Sequence, residues 1–137
     1  MIQPPPPVCE TLGMQTVNLA EKFASFAEYW KPHIAGEIND FQLKLVKFKA
    51  DFVWHHHDRE DELFLVVKGS FTMRYKEPDG SDHALEVREG EFVVMPHGVE
   101  HCPCAEDEVH VILLEPKSTL NTGNVKNERT RPVLERI

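Results

Sequence analysis

Between residues 54 and 62 the chain reads Trp54-His55-His56-His57-Asp58-Arg59-Glu60-Asp61-Glu62. On an extended strand successive side chains alternate faces. His55 and His57 therefore share one face, and His56 takes the other. A tight turn through 58–61 returns the chain antiparallel and sets Glu62 beside the pair at the start of the next strand. Two imidazoles and one carboxylate meeting at a strand end make a three-ligand metal face. A fourth candidate is His101, which closes the run Gly90-x5-Pro96-x-Gly98-x2-His101. The glycines permit tight turns and the proline stiffens the return between strands. A histidine just after such a turn sits near the mouth of a barrel. The plainer alternative makes the histidine triple a solvated loop and His101 a hydrogen-bonded barrel histidine.

Neighbouring residues take their roles from the same alternation. Phe64 and Val66 share the parity of Glu62 and are expected to line the cavity. Asp61 is a candidate acceptor for the outer nitrogen of a ligand histidine. His97, between Pro96 and Gly98, is a candidate contact at the mouth, while His56 faces outward and His33 and His83 are expected at the surface. Cys102 and Cys104 face away from His101, as small buried apolar groups rather than ligands. No Lys, Arg or Tyr stands out at an inward position, beyond the rule that one of Arg74 and Tyr75 must face in.

The elements that must position these residues are mostly strands. Candidate strands run over 41–49, 52–57, 62–68, 70–77, 82–88, 91–95, 99–104 and 109–115. Turn signals separate them at 78–81, 89–90, 96–98 and 106–108. Many short strands at near-even spacing predict an all-β sandwich or small closed barrel. A single helix is predicted over 18–30, capped by Asn18 with Glu21 three residues on, striped by Leu19, Phe23, Phe26 and Trp30, and stopped by Pro32. The runs 63–67 and 111–114 are apolar on both faces. The second face needs a cover, from the helix or from another subunit, and a homodimer is expected on that ground.

Both histidine segments resemble the motifs of the cupin superfamily, G-x5-H-x-H-x3–4-E-x6-G and G-x5-P-x-G-x2-H-x3-N. The chain reads His55-x-His57-x4-Glu62-x6-Gly69, then Gly90-x5-Pro96-x-Gly98-x2-His101. It looks most like small single-domain cupins with a WHHHxxxDELF-type first motif, some loosely termed mannose-6-phosphate-isomerase-like. Two positions depart: Lys49 stands for the opening glycine and Ala105 for the final asparagine. The resemblance implies a double-stranded β-helix, or jelly-roll barrel, holding one divalent metal on His55, His57, Glu62 and His101. Imidazole with carboxylate suits Fe, Mn, Ni or Zn. The function implied is a metal-dependent enzyme of isomerase, lyase or dioxygenase type acting on a small polar molecule. The alternative is a non-catalytic cupin that binds a metal or small molecule. No cationic clamp or glycine-rich cradle stands beside the ligands, which argues against a sugar phosphate.

With 137 residues the chain has the length of one domain. It divides into a Pro-rich leader at 1–17, the barrel with its helix at 18–116, and a polar extension at 117–137. The extension either folds over the barrel mouth, offering amides and hydroxyls, or is an ordinary connection with a solvated, mobile end. A net charge of −8 disfavours nucleic acid as a partner. No run approaches the roughly 18 apolar residues of a membrane span. Three cysteines, two of them at i and i+2, make no disulfide framework, and a reduced cytoplasmic setting is expected.

Overall fold

The computed structural model describes residues 3–4 and 14–137. Most of the leader, with Cys9, lies outside the described residues. One helix, α1 (Leu19–Ala24), precedes seven strands: β1 (His33–Ile38), β2 (Phe41–Asp51), β3 (Glu62–Lys68), β4 (Ser70–Lys76), β5 (Asp82–Arg88), β6 (Phe92–Met95) and β7 (His101–Pro116). All strand pairs are antiparallel. The sheet runs β1-β2-β7-β3-β6, with β4 bridging β7 and β5. The expected all-β jelly-roll barrel with one short helix is the fold observed.

β7 is the organising strand. It pairs with β2 along one edge and, along the other, with β3 over its second half and β4 over its first. The sequence predicted two strands here, broken at Glu106-Asp107-Glu108. Instead the acidic triplet stays in the strand, exposed to solvent. The triplet falls at a register shift, where Phe48 pairs with Val109 and Ala50 with Ala105, so it bulges from the β2 ladder without ending the strand. Inward residues of six strands form the core: Val46 and Phe48, Phe64 and Val66, Phe71 and Met73, Val87, Met95, and Val109, Val111 and Leu113.

The helix is shorter than its apolar stripe. Asn18 accepts a hydrogen bond from Glu21 N at 3.0 Å, as its cap. The helix then ends where the Ser25 hydroxyl donates to the Lys22 carbonyl at 2.6 Å, competing with the helical bond. Phe23 and Phe26 still pack on Leu45, outside the barrel. Burying each contributes roughly 2–3 kcal/mol. Trp30 leaves the stripe. With φ 62 it turns into the barrel core, its backbone N–H on the Lys47 carbonyl and its indole N–H on the Lys49 carbonyl, both at 2.8 Å.

β1 was not among the predicted strands, and its His33 is buried at 2% exposure, not at the surface. The ring stacks on Phe26 at 4.0 Å because the chain after α1 folds back over it. The chain end also finds a place on β1. Ile34 N donates to the Glu135 carbonyl, and Ile137 N donates to the Ile34 carbonyl. This end lies along a strand rather than standing free in solvent.

On the outer face two apolar rows cross four strands in register. They are Leu43–Leu114–Leu63–Val94 and Leu45–Ile112–Leu65–Phe92. α1 covers the β2 end of the rows. At the β6 end Phe92 is 61% exposed and Val94 48%.

Candidate metal centre

His101 opens β7 and Glu62 opens β3, each at the inward position of an alternating strand. The predicted strand 52–57 does not form as such. It is an irregular ribbon tied to His101 by one bridge, His55 N to His101 O at 3.0 Å and His101 N to His55 O at 2.9 Å. Ala50, at φ 67, stands at the register shift in the β2 ladder, after which the pairing with β7 resumes through Asp51. The turn at 96–98 secures the far end of the ribbon. Gly98, at φ 81, donates its N–H to the His57 carbonyl at 2.7 Å.

His55, His57, Glu62 and His101 come together. All four are buried, and one ligand atom from each lies within 4.8 Å of the others. His57 Nε2 stands 2.8 Å and His101 Nε2 3.3 Å from Glu62 Oε1. None of these three atoms has a hydrogen-bond partner of proper geometry. Three buried, convergent, unsatisfied donor atoms are costly unless a cation lies among them. The ring orientations fit that use. Nδ1 of His55 donates to the Val53 carbonyl and Nδ1 of His101 to the Val99 carbonyl, both at 2.8 Å. Each bond leaves the Nε2 lone pair facing the cluster. Burial, helped by the nearby His101, lowers His55 to about 4, so its ring is neutral at ordinary pH. The donor set of three imidazoles and a carboxylate suits one divalent ion.

Behind Glu62 lies a pair that the sequence reading missed. Lys44 Nζ meets Glu115 Oε1 at 2.7 Å, both side chains buried. Glu115 Oε2 is buried without a hydrogen-bond partner, and Glu115 lines the same cavity as Glu62. Burial and the Glu62 charge push Glu115 well above the usual carboxyl range, against the pull of Lys44. Burial also opposes charge on Glu62, but the Glu115 carboxyl and the rings of His101 and His57 hold it well below that range. The signal was present as parity. Lys44 shares a face with Val46 and Phe48, and Glu115 with Leu113 and Val111.

A cavity of about 30 Å³ adjoins the cluster at His55, Glu62 and Glu115. Its walls are Trp30, Phe48, Phe52 and Phe64, with Asn121 from the C-terminal segment. Phe64 lines it as expected, while Val66 lies deeper in the core. Asp61 does not reach His55, His57 or His101. Its carboxylate takes the N–H of His97 and pairs with His97 Nδ1, both at 2.8 Å, and both side chains are 59% exposed. The two tie the rim loops together outside the cavity. Arg74 faces outward over Trp54, and Tyr75 is the inward member of that pair. Cys102 and Cys104 lie 3.8 Å apart as free thiols, and burial pushes Cys104 up to about 12, which suits packing rather than ligation.

Comparison with known proteins places this geometry. The cupin domain family model matches residues 44–115, which contain all four clustered residues. A cupin-2 domain protein from Shewanella frigidimarina NCIMB 400 superposes with a TM-score of 0.69 at 37% identity, covering 74% of this chain and 94% of that one. The uncharacterized protein YdbB of Bacillus subtilis is 28% identical over 84 residues, 61% of this chain, and the match spans only 65% of its length. A hydroquinone 1,2-dioxygenase, PnpCD, in complex with Fe3+, superposes with a TM-score of 0.69 at 16% identity, covering 84% of this chain and 37% of that one. That last likeness is one of fold alone. The chain belongs to the cupin family.

Proposed function

We propose that His55, His57, Glu62 and His101 hold one divalent ion, Fe, Mn, Ni or Zn, and that the protein is a small metal-dependent enzyme. Its reaction would be of isomerase, lyase or dioxygenase type on a small molecule. The observation that carries the reading is the trio of buried, unpartnered atoms facing one another, His57 Nε2, His101 Nε2 and Glu62 Oε1. A bound ion supplies Lewis-acid polarisation of an oxygen donor, and electron transfer where the ion is redox-active. The Nδ1 bonds to Val53 and Val99 keep two rings aimed. Aromatic walls line the cavity beside the cluster, and the buried Lys44–Glu115 pair stands behind Glu62.

A second reading, a non-catalytic cupin that binds the metal or a small molecule, is favoured by the free volume. About 30 Å³ admits little more than a water-sized guest. Elemental analysis of protein purified without a His-tag column or chelator tests the metal. One equivalent per chain is expected, falling below about 0.1 in His57→Ala while the barrel remains folded. Stoichiometric metal in that variant refutes the assignment. A redox-active native metal with oxygen uptake favours the enzyme, and an inert, tightly held ion the binding module.

Two partner assignments belong to the same proposal. The exposed ends of the two apolar rows, at Phe92 and Val94, are covered by a second copy of the chain, giving a homodimer. The free thiols Cys102 and Cys104 suit a reducing cytoplasm. Among the described residues no helix is long and apolar enough to cross a membrane.

A further inference from the structure

The ribbon carrying His55 and His57 is poorly held by the sheet. The bridge at His55 and the Phe52 N–H on the Pro103 carbonyl tie it to β7, and the Nδ1 of His57, unlike those of His55 and His101, has no partner to set its ring. Its aim must come from its backbone. Past β7 the chain returns to this ribbon. Asn124 N donates to the His56 carbonyl at 3.1 Å, and Asn124 Oδ1 accepts from His56 N at 2.8 Å. One residue thus holds both backbone polar groups of the position between the two histidines, 68 residues away in sequence.

Gly123 makes the close approach possible. At φ +56 it lies against the ribbon, where a Cβ would collide with the His56 carbonyl and stand 3.1 Å from His55 Cδ2. The segment is braced from behind. Thr122, fully buried, shares a hydrogen bond with Thr130 at 2.7 Å. Asn121 donates to the Arg129 carbonyl and accepts from Arg131 N, both at 2.8 Å, and it also lines the cavity beside His55 and Glu62. Arg129 anchors the far side, its guanidinium on the Asp51 carbonyl at 2.7 Å and over the ring of Trp30.

We infer that the segment 121–124 is part of the metal centre, with Gly123 and Asn124 as positioning residues that set the backbone of His55–His57 for ligation. This rests on the metal reading proposed above. It makes the C-terminal extension a working wall of the site rather than a connection, and it predicts that metal affinity can be changed without touching any ligand.

The test uses the full chain, with Co(II) as the probe, in wild type, Asn124→Ala, Asn124→Asp and Gly123→Ala. Affinity is read by chelator competition, ligand geometry by the visible Co(II) spectrum, and folding by the melting temperature of the metal-free protein. Asn124 is exposed, so Asn124→Ala is expected to fold and melt within a few degrees of wild type. Loss of its bond to His56 is expected to weaken Co(II) about tenfold and alter the spectrum. Asn124→Asp keeps the acceptor oxygen and is expected to stay within about threefold of wild type. Gly123→Ala is expected to weaken Co(II) at least as much as Asn124→Ala. Wild-type affinity and spectrum in both Asn124→Ala and Gly123→Ala overturn the positioning role while leaving the metal reading intact. Failure of the wild type itself to bind Co(II) overturns both.

Discussion

Lys44→Met probes the buried polar chain behind the cluster. Lys44 and Glu115 are each about 1% exposed and meet at 2.7 Å. At an effective dielectric of 20 the attraction across that distance is about 6 kcal/mol, and the desolvation of both groups offsets much of it. Removing only the lysine leaves the desolvation of two carboxyl groups with no cation beside them. Such one-sided losses cost about 3–5 kcal/mol. The lower end, about 3 kcal/mol, is the expected loss. For a chain of this length that is a fall of roughly 10 °C in melting temperature. Urea unfolding of the metal-free protein measures it. Lys44→Met with Glu115→Leu removes the whole pair and is expected to recover most of the loss, since apolar replacement of a buried pair is often neutral. A bound metal places a cation on Glu62, so the defect of Lys44→Met should be smaller in the metal-loaded protein. A single variant within 1 kcal/mol of wild type, or a double variant no better than the single, refutes the reasoning.

Other predictions rest on the same geometry. His55 is lowered to about 4 from an unfolded value near 6.5, so below that value the unfolded chain takes up its proton first. Its contribution, about 3 kcal/mol, is fully present above roughly pH 6.5 and is lost as pH falls toward 4. Between pH 7.5 and 4.5 metal-free wild type should therefore lose more stability than His55→Asn, and parallel urea midpoints would contradict this. Phe92→Lys with Val94→Lys places two charges on the exposed ends of the apolar rows and should halve the mass measured by light scattering. An unchanged mass would remove these rows from the interface. Phe64→Ala, at a buried cavity wall, should cost about 3–5 kcal/mol and enlarge the cavity beside Glu62. A loss under 1 kcal/mol would mean that the wall collapses to fill the gap.

The four clustered residues are legible in the amino-acid sequence because their signals are local. His55 and His57 differ by two positions, Glu62 opens an alternating strand, and His101 follows a proline–glycine turn. Lys44 and Glu115 share the same parity signal but sit 71 residues apart, and only the pairing of β2 with β7 brings them together. Local cues also misled. The stripe from Leu19 to Trp30 suits a helix, yet Trp30 is drawn into the barrel by bonds to the carbonyls of Lys47 and Lys49. The acidic triplet 106–108 has turn composition, but β7 carries it as a bulge between Ala105 and Val109, both paired with β2. The seat of Asn124 on His56 has no pattern in sequence, because it is made from backbone groups and one short amide.

The sixteen-residue β7 has a consequence for how the chain reaches its native state. It is the common partner of β2, β3 and β4, and of the seven strands it is the last to be synthesised. Until it emerges from the ribosome those three strands lack a shared neighbour, and their inward faces stay wet. Most native pairings therefore span long stretches of chain, the arrangement that makes folding slow. His101 arrives with the first residue of this strand and Glu115 near its last. The cluster and its buried support thus assemble only as the barrel closes, so a metal held there would be a guest of the finished barrel and not its nucleus. Metal supply should consequently change the thermal endurance of the mature protein while leaving its refolding rate nearly untouched.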